Sequence, residues 1–399
     1  MGQTLSPTSA MPFTRLPRLD KLGVIIALLV VAGVFFLPFV LSRPNRIVAG
    51  QPLVIGAALP ALQAAFLYAL IGLGALIALL RLPSPWRLGS AFLVIAALGY
   101  LLGTAANAMT PEGNTVARVS PGAGFWVLLF AFSLVAADAL VRLRLGPAAR
   151  VAVLAGVAVV IGLMLWTGVW QDLSILREYA NRGAAFWAEA RTHVALAFGS
   201  LAAATVVGVP LGIVCYRHGR LRASVLNLLN VVQTVPSIAL FGLLIAPLAW
   251  IAANVPGASA LGISGIGTAP AMVALFGYSL LPIVANTVIG LDGVPAPVKD
   301  AARGMGMTDR QVLFGAELPL AFPVILTGIR IVLVQNIGLA TIAALIGGGG
   351  FGVFVFQGIG QTAMDLVLLG AVPTVALAFA AAVVLDALVE MVSPRKVRS

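Results

Sequence analysis

The 399-residue chain predicts an all-α polytopic membrane protein with about ten transmembrane helices. Three observations carry that prediction. Hydrophobic residues make up 61% of the chain and charged residues only 9%, against about 45–50% and about 25% in a soluble domain. Ten apolar runs are each long enough to cross a bilayer, which takes about 20 residues of helix. Lys and Arg fall unevenly on the two sides of those runs. The same figures exclude a disordered chain, which needs low hydrophobicity and high charge.

The runs fall at about 22–41, 60–80, 88–108, 122–141, 150–168, 192–216, 223–250, 267–290, 322–346 and 366–391. With the N-terminus in the cytoplasm, the inside segments hold Arg15, Arg18, Lys21, Arg81, Arg87, Arg142, Arg144, Arg150, Arg217, Arg220, Arg222, Lys299, Arg303, Arg310, Arg395, Lys396 and Arg398. The outside segments hold Arg43, Arg46, Arg118, Arg177, Arg182 and Arg191, and Arg330 lies within the ninth run. Seventeen against six is the positive-inside bias, and it puts both termini in the cytoplasm. The net charge of +11 therefore reads as orientation, not as a nucleic-acid surface. Continuous apolar runs exclude the alternation of a membrane barrel, so the spans are helices. The first run follows basic residues, but it is too long for a signal h-region and no A-x-A site follows, so it reads as a retained span.

Residues 1–170 carry five spans and little polar content within them. Asp138, four residues before Arg142, reads as half of an interfacial ion pair. Residues 171–190 form a hydrophilic outside connector, with Leu173 to Trp187 expected as an amphipathic surface helix.

The second half, 191–392, differs. Gln233, Thr234 and Ser237 lie in the seventh span around Pro236. Asn286 and Thr287 follow Pro282 in the eighth, and Gln335 and Asn336 lie in the ninth. Amides and hydroxyls at membrane depth face protein or a water-filled path. Each alone fits an interhelical hydrogen bond; together they form a candidate translocation path. Arg330, about two turns inside its span, is expected to snorkel or to pair with a loop acid such as Glu317. The sharper alternative is a tie between loop and gate.

The longest inside loop, 291–321, gathers seven charges: Asp292, Lys299, Asp300, Arg303, Asp309, Arg310 and Glu317. It reads as two short helices. The first runs from Pro295 to Arg303 and stops near Gly304 and Gly306. Thr308 then N-caps the second, with Gln311 completing a capping box. Pro319 ends that helix or introduces the next span. A structured, charged loop of this kind is expected to dock a soluble partner.

Chemistry within the chain is not expected. Cys215 is alone, and His193 and His218 are too far apart for a zinc motif, so neither disulfide nor metal site is predicted. No G-x-x-x-x-G-K-[ST] occurs, so ATP hydrolysis and cofactor binding are not predicted. Gly347 to Gly352 is glycine-rich but lacks the lysine; it reads as a re-entrant or hinge turn on the outside face.

Asp300-Ala301-Ala302-Arg303-Gly304-Met305-Gly306, nine residues, then Ala316-Glu317-Leu318-Pro319 resembles the EAA signature of ABC importer permeases, E-A-A-x3-G-x9-I-x-L-P. Asp300 stands for Glu and Ala316 for Ile. Further stretches resemble the glycine betaine/choline/osmoprotectant subfamily: Gly208 to Gly212, Gln233 to Ser237, Leu281 to Thr287, Gly328 to Arg330 and Ala343 to Gly347. The resemblance covers about 200 residues, from Arg191 to Val392, and the added N-terminal spans resemble the YehY-like members.

That resemblance implies a type I (MetI-like) permease core in the C-terminal half, lodged in a bacterial inner membrane among its lipids. It implies a cytoplasmic ATPase dimer docked on Asp300, Ala301, Ala302, Arg303, Gly304, Gly306, Glu317 and Pro319. A second permease subunit and a periplasmic substrate-binding protein complete the machine. The implied solute is glycine betaine or a related quaternary-ammonium osmoprotectant. The alternatives are an ABC importer for another small solute such as an amino acid, or an ion-coupled secondary transporter. The latter would favour inverted repeats and acids at the midplane.

Overall fold

A computed structural model of the chain describes residues 20–45, 48–80, 82–111, 113–114 and 116–393. Arg15, Arg18, Arg46, Arg81, Arg395, Lys396 and Arg398, which entered the charge bias, lie outside the described residues. Among the described residues, nine helices are long and apolar enough to span a membrane, and a tenth, Lys21–Phe36, is shorter. The chain packs as two units. One takes the described residues up to Leu145 with Leu163–Leu173; the other takes Gly146–Gly162 and Ser174 onward.

The first unit begins with α1 (Lys21–Val31), extended by a π turn over Ala32–Phe36. The predicted run to residue 41 stops there, because Leu37 precedes Pro38 and is held extended (φ −118°, ψ 144°). Strands β1 (Val40–Arg43) and β2 (Gln51–Leu53) follow, then the single turn α2 (Ile55–Ala58), α3 (Ala61–Leu79) and α4 (Ser84–Met109). After β3 (Arg118–Pro121) the chain enters α5 (Ala123–Leu143). The strands form a small antiparallel sheet in the order β2-β1-β3, an element that reading continuous apolar runs did not anticipate. Ile26, Leu67, Ile71, Val94, Leu98, Leu128 and Phe132 fill the helical core. Gly23 permits the close approach of α1 to α3, since a Cβ there would lie 2.3 Å from the Ala78 carbonyl oxygen.

At one end of this unit the expected Asp138–Arg142 pair is present, with Arg142 Nε at 2.9 and 2.8 Å from the two carboxylate oxygens. It is part of a larger network. Arg87, fully buried, donates to Asp20 Oδ2 at 2.6 Å and lies 3.3 Å from Asp138. Asp20 also caps α1 by accepting the Leu22 N–H at 3.1 Å. Burial opposes ionisation of Asp20. The hydrogen bonds from Arg87 and Leu22, with the charges of Arg87 and Arg142, outweigh it and hold the carboxyl below its ordinary value.

The second unit opens on most of α6 (Pro147–Trp166) and continues with α7 (Ser174–Arg217). The expected connector at 171–190 is mostly the first stretch of α7, whose backbone leaves helical geometry only at Arg182 (φ −129°, ψ 21°). The predicted span 223–250 is not one helix. It divides into α8 (Gly219–Thr234), α9 (Ser237–Leu243) and α10 (Ile245–Asn254); the break between α8 and α9 arises because Val235 before Pro236 is extended (φ −68°, ψ 127°). Next come α11 (Thr268–Asp292), α12 (Ala296–Gly304), α13 (Asp309–Val312), a π turn over Leu313–Glu317, and α14 (Leu318–Ala340). A short 3-10 turn (Ile342–Ile346), α15 (Gly352–Gly360) and α16 (Met364–Val392) complete the unit.

Helices α7, α11 and α14 form its centre, with Ala197, Ala204, Ile283, Val332 and Ile337 buried between them. The α7–α11 crossing is close because Gly208 and Gly212 face it. A Cβ on Gly212 would lie 2.6 Å from Thr287 Cβ.

Candidate coupling loop and membrane path

The loop folds as its residues predict and is joined more tightly to the next span than expected. Helix α12 follows Pro295 and ends at Gly304, and Gly306 takes the left-handed conformation (φ +82°) that turns the chain. The capping box is present: Gln311 N–H donates to Thr308 Oγ1, and the Thr308 N–H donates to Gln311 Oε1 at 2.8 Å. Pro319 does not end a helix. It occupies the first turn of α14 directly after the π turn, and the helical backbone runs on from Asp309 to Ala340.

The motif residues divide by exposure. Ala302 and Glu317 are buried, so neither lies on the exposed face of the loop. Ala301, Arg303, Gly304, Gly306 and Pro319 are exposed, beside Met305 (77% exposed) and Phe314 (58%). A Cβ on Gly304 or Gly306 would meet nothing within 4 Å. Arg303 lies 4.0 Å from Asp300 and 3.6 Å from Asp309, rim pairs in water that set orientation more than strength.

Beneath this face, Glu317 is 3% exposed. Lys299 Nζ donates to the Tyr216 hydroxyl at 2.9 Å, and that hydroxyl donates to Glu317 Oε1 at 3.0 Å. Arg217 stands 3.7 Å and Lys299 3.9 Å from the carboxylate. The loop is thereby fastened to the end of α7. Nothing in the local sequence marks Tyr216 and Lys299 as partners, because their meeting depends on α7 reaching the loop.

Arg330 does not pair with Glu317. It pairs with Asp386 of α16, and Asp386 also pairs with Arg150 of α6, which in turn pairs with Glu390.

The structure places the candidate path residues in three settings. At the break between α8 and α9, Gln233 Nε2 donates to the Tyr278 carbonyl at 2.8 Å, and the Tyr278 hydroxyl donates to the Val235 carbonyl at 2.5 Å. The break is thus held to α11 by two hydrogen bonds. Thr234 is exposed and donates to its own helix at Val231, while Ser237 opens α9 half-buried. Asn286 and Thr287 donate to the carbonyls of Pro282 and Ile283 at 2.8 and 2.7 Å and pack against Gly328 and Gly212. Asn336 is fully buried, and its Nδ2 donates to Ser200 and Ser279 at 2.8 Å each, joining α14 to α7 and α11. Gln335, its neighbour, is half-buried. Ser200 and Ser279 are serines in apolar helices, and nothing in their local sequence marks them as a pair.

The glycine-rich turn is held by the far end of α7. Glu189 Oε2 accepts the Gly350 N–H at 2.6 Å, and His193 Nδ1 accepts the Phe351 N–H at 3.3 Å. Gly347, Gly349 and Gly350 all have positive φ, a conformation that favours glycine.

Two family models match this chain. Residues 20–176 match the N-terminal domain of the ABC transporter permease YehY. Residues 208–398 match the binding-protein-dependent transport system inner membrane component. The osmoprotectant import permease protein OsmW of Salmonella typhimurium is 42% identical over 205 residues, covering 51% of this chain and 89% of that protein. The carnitine transport permease protein OpuCB of Listeria monocytogenes is 36% identical over 52% of this chain and 87% of its own length. The choline transport system permease protein OpuBB of Bacillus subtilis is 37% identical over 47% and 78% respectively. Among solved structures, an inward-facing MetNI methionine ABC transporter chain aligns over 53% of this chain and 95% of its own, with a TM-score of 0.43 and 23% identity.

Proposed function

We propose, from the premise that this chain belongs to the binding-protein-dependent transport system inner membrane component family, how the permease works and what it carries. It is the membrane-spanning permease of an ABC importer, a multi-pass inner-membrane protein, and ATP is hydrolysed by a separate subunit. A substrate-binding protein and an ATPase are its partners.

The solute is glycine betaine or a related quaternary-ammonium osmoprotectant. The similarity to permeases named for osmoprotectants, carnitine and choline carries this reading. Two permease subunits pair, and an ATPase dimer docks on the exposed face of the loop at Ala301, Arg303, Gly304, Met305 and Gly306. Both termini face the cytoplasm on the charge bias. Residues 1–170 are an accessory membrane region, 171–190 link it to the permease proper, and 191–392 carry transport.

The observation that supports the docking surface is the division of the motif. Small and apolar groups are turned outward on a turn with room around both glycines, while Glu317 is spent inside holding the loop to α7. Closure of the ATPases moves the loop as one piece. Because α13 and α14 are helically continuous, that motion enters the bundle along α14, and the α7–α11–α14 centre alternates between outward and inward access.

The test is uptake of radiolabelled glycine betaine by the complete transporter in proteoliposomes, with and without internal ATP. ATP-dependent uptake that choline or carnitine competes supports the substrate assignment. Uptake of an amino acid but of none of these three overturns it.

A further inference from the structure

Arg330 is the one charged side chain set well inside α14, and its hydrogen-bonded partner is Asp386 of α16. Asp386 accepts from a second arginine, Arg150 at the start of α6. Arg150 has another acid, Glu390, one turn beyond Asp386 on α16. Two arginines and two carboxylates make a neutral set, but the sharing is unequal. Removing Asp386 leaves Arg150 with Glu390 and takes from Arg330 its hydrogen-bonded partner.

The remaining contacts of these helices differ in kind. Leu377, Ala378, Ala381 and Leu385 of α16 pack against the buried cluster to which α14 contributes Val332, Leu333 and Ile337. Such apolar contacts name no individual partner, because the hydrophobic effect is non-directional. No residue of α6 is buried, so the ion pairs of Arg150 are its specific attachment to α16. A directional ion pair resists sliding, since separating it leaves each charge without its partner. Arg330 stands thirteen residues beyond Glu317, about 20 Å along a continuous helix at 1.5 Å per residue. A displacement of the loop therefore reaches Arg330 with little loss.

We propose that Asp386 is a positioning residue for transport, the carboxylate through which α14, displaced by the coupling loop, carries α16 and the start of α6 with it. The proposal rests on the reading of 291–321 as the ATPase-docked loop. It assigns Arg330 a role in motion, and it places α6, sequentially part of the N-terminal region, within the moving permease.

The experiment uses the complete complex in nanodiscs with Cys215, the lone cysteine, replaced by Ser. Spin labels are placed at the exposed Phe322 of α14 and Leu388 of α16, and in a second sample at Phe322 and Ile289 of α11. Distances are measured without nucleotide and after trapping with ATP and vanadate. In the parent complex the Phe322–Ile289 distance changes between states, while Phe322–Leu388 does not. In Asp386→Asn, and equally in Arg330→Gln, Phe322–Ile289 still changes and Phe322–Leu388 changes with it. The exchanged pair Arg330→Asp/Asp386→Arg keeps the set neutral and restores the fixed Phe322–Leu388 distance.

A Phe322–Leu388 distance that stays fixed in Asp386→Asn overturns the proposal, as does an exchanged pair that inserts and fails to restore it. Should the single variants not insert, the exchanged pair decides. A Phe322–Ile289 distance that never changes in the parent complex removes the coupling-loop reading itself, a result distinct from either.

Discussion

The Tyr216 hydroxyl donates to Glu317 Oε1 at 3.0 Å while accepting from Lys299 Nζ at 2.9 Å. One side chain at the end of α7 thereby joins the first helix of the loop to the start of α14. The loop is held to α7 by this chain of part-buried, charge-assisted hydrogen bonds, the strong kind.

Glu317→Ala leaves the Tyr216 hydroxyl without its acceptor and takes from Lys299 and Arg217 the carboxylate beside them. Losing one partner of a buried ionic group costs on the order of 3 kcal/mol. Tyr216→Phe removes one hydrogen bond and costs about 1 kcal/mol. Thermal unfolding of the detergent-purified permease should show Glu317→Ala well below Tyr216→Phe. ATPase co-purification should fall in the same order, and equal melting points for the two would contradict this arrangement.

Gly304 and Gly306 are both open to solvent, but only Gly306 has positive φ. Gly306→Leu carries backbone strain of about 1–2 kcal/mol and also fills the docking face. It should reach the membrane at near-parent levels, bind the ATPase poorly and lose uptake. Gly304→Leu carries the steric change without the strain. If it binds the ATPase normally, this face is not the docking surface.

Asn336→Leu removes two hydrogen bonds inside the bundle. Such bonds are worth about 0.6 kcal/mol on average within membrane proteins, so the variant should melt within about 2 kcal/mol of the parent. The geometry makes Asn336 a brace between helices, and uptake should persist. Complete loss of uptake at unchanged stability would return Asn336 to the translocation path.

Tyr278→Phe leaves the Val235 carbonyl without its hydroxyl donor at the α8–α9 break. Leaving a carbonyl unsatisfied costs about 1–3 kcal/mol when it stays dry. Backbone hydrogen exchange should rise selectively around Val235 and Ser237. Uniform protection in parent and variant would mean that the break needs no pin from α11.

Asp20 has a carboxyl lowered below its ordinary value, so it stabilises the folded first unit at pH above the unfolded carboxylate range. That contribution is lost as pH falls through the lowered folded-state value. Asp20→Asn should therefore destabilise at neutral pH, by about 3 kcal/mol for a broken buried pair. The gap to the parent should close under strong acid. A gap that widens on acidification would contradict the sign.

Much was legible before any fold was known. Apolar runs located the spans, since a helix must keep about 20 apolar residues together to cross lipid. The loop helices, their capping box and the glycine turn followed from local rules that act within four residues, and each stands where Thr308, Gln311 and Gly306 put it. The break at Val235 was also locally encoded by Pro236, but continuous hydrophobicity concealed it. The small sheet is not legible in the sequence, because Val40 and Leu41 pass for the end of an apolar run and strands of three or four residues carry no pattern of their own.

By itself, then, the sequence determined the membrane class, the charge pattern behind its orientation, the docking-loop motif and the family likeness, all properties of contiguous residues. Partnership was decided only by tertiary structure. Arg330 meets Asp386 56 positions away, Asn336 meets Ser200 136 positions away, and Arg87 meets Asp20 across 67. Which polar group satisfies which depends on how helices are rotated and set against one another. That rotation is settled by glycine contacts such as Gly212 against Thr287 and by the whole packed interface, not by any local stretch of residues.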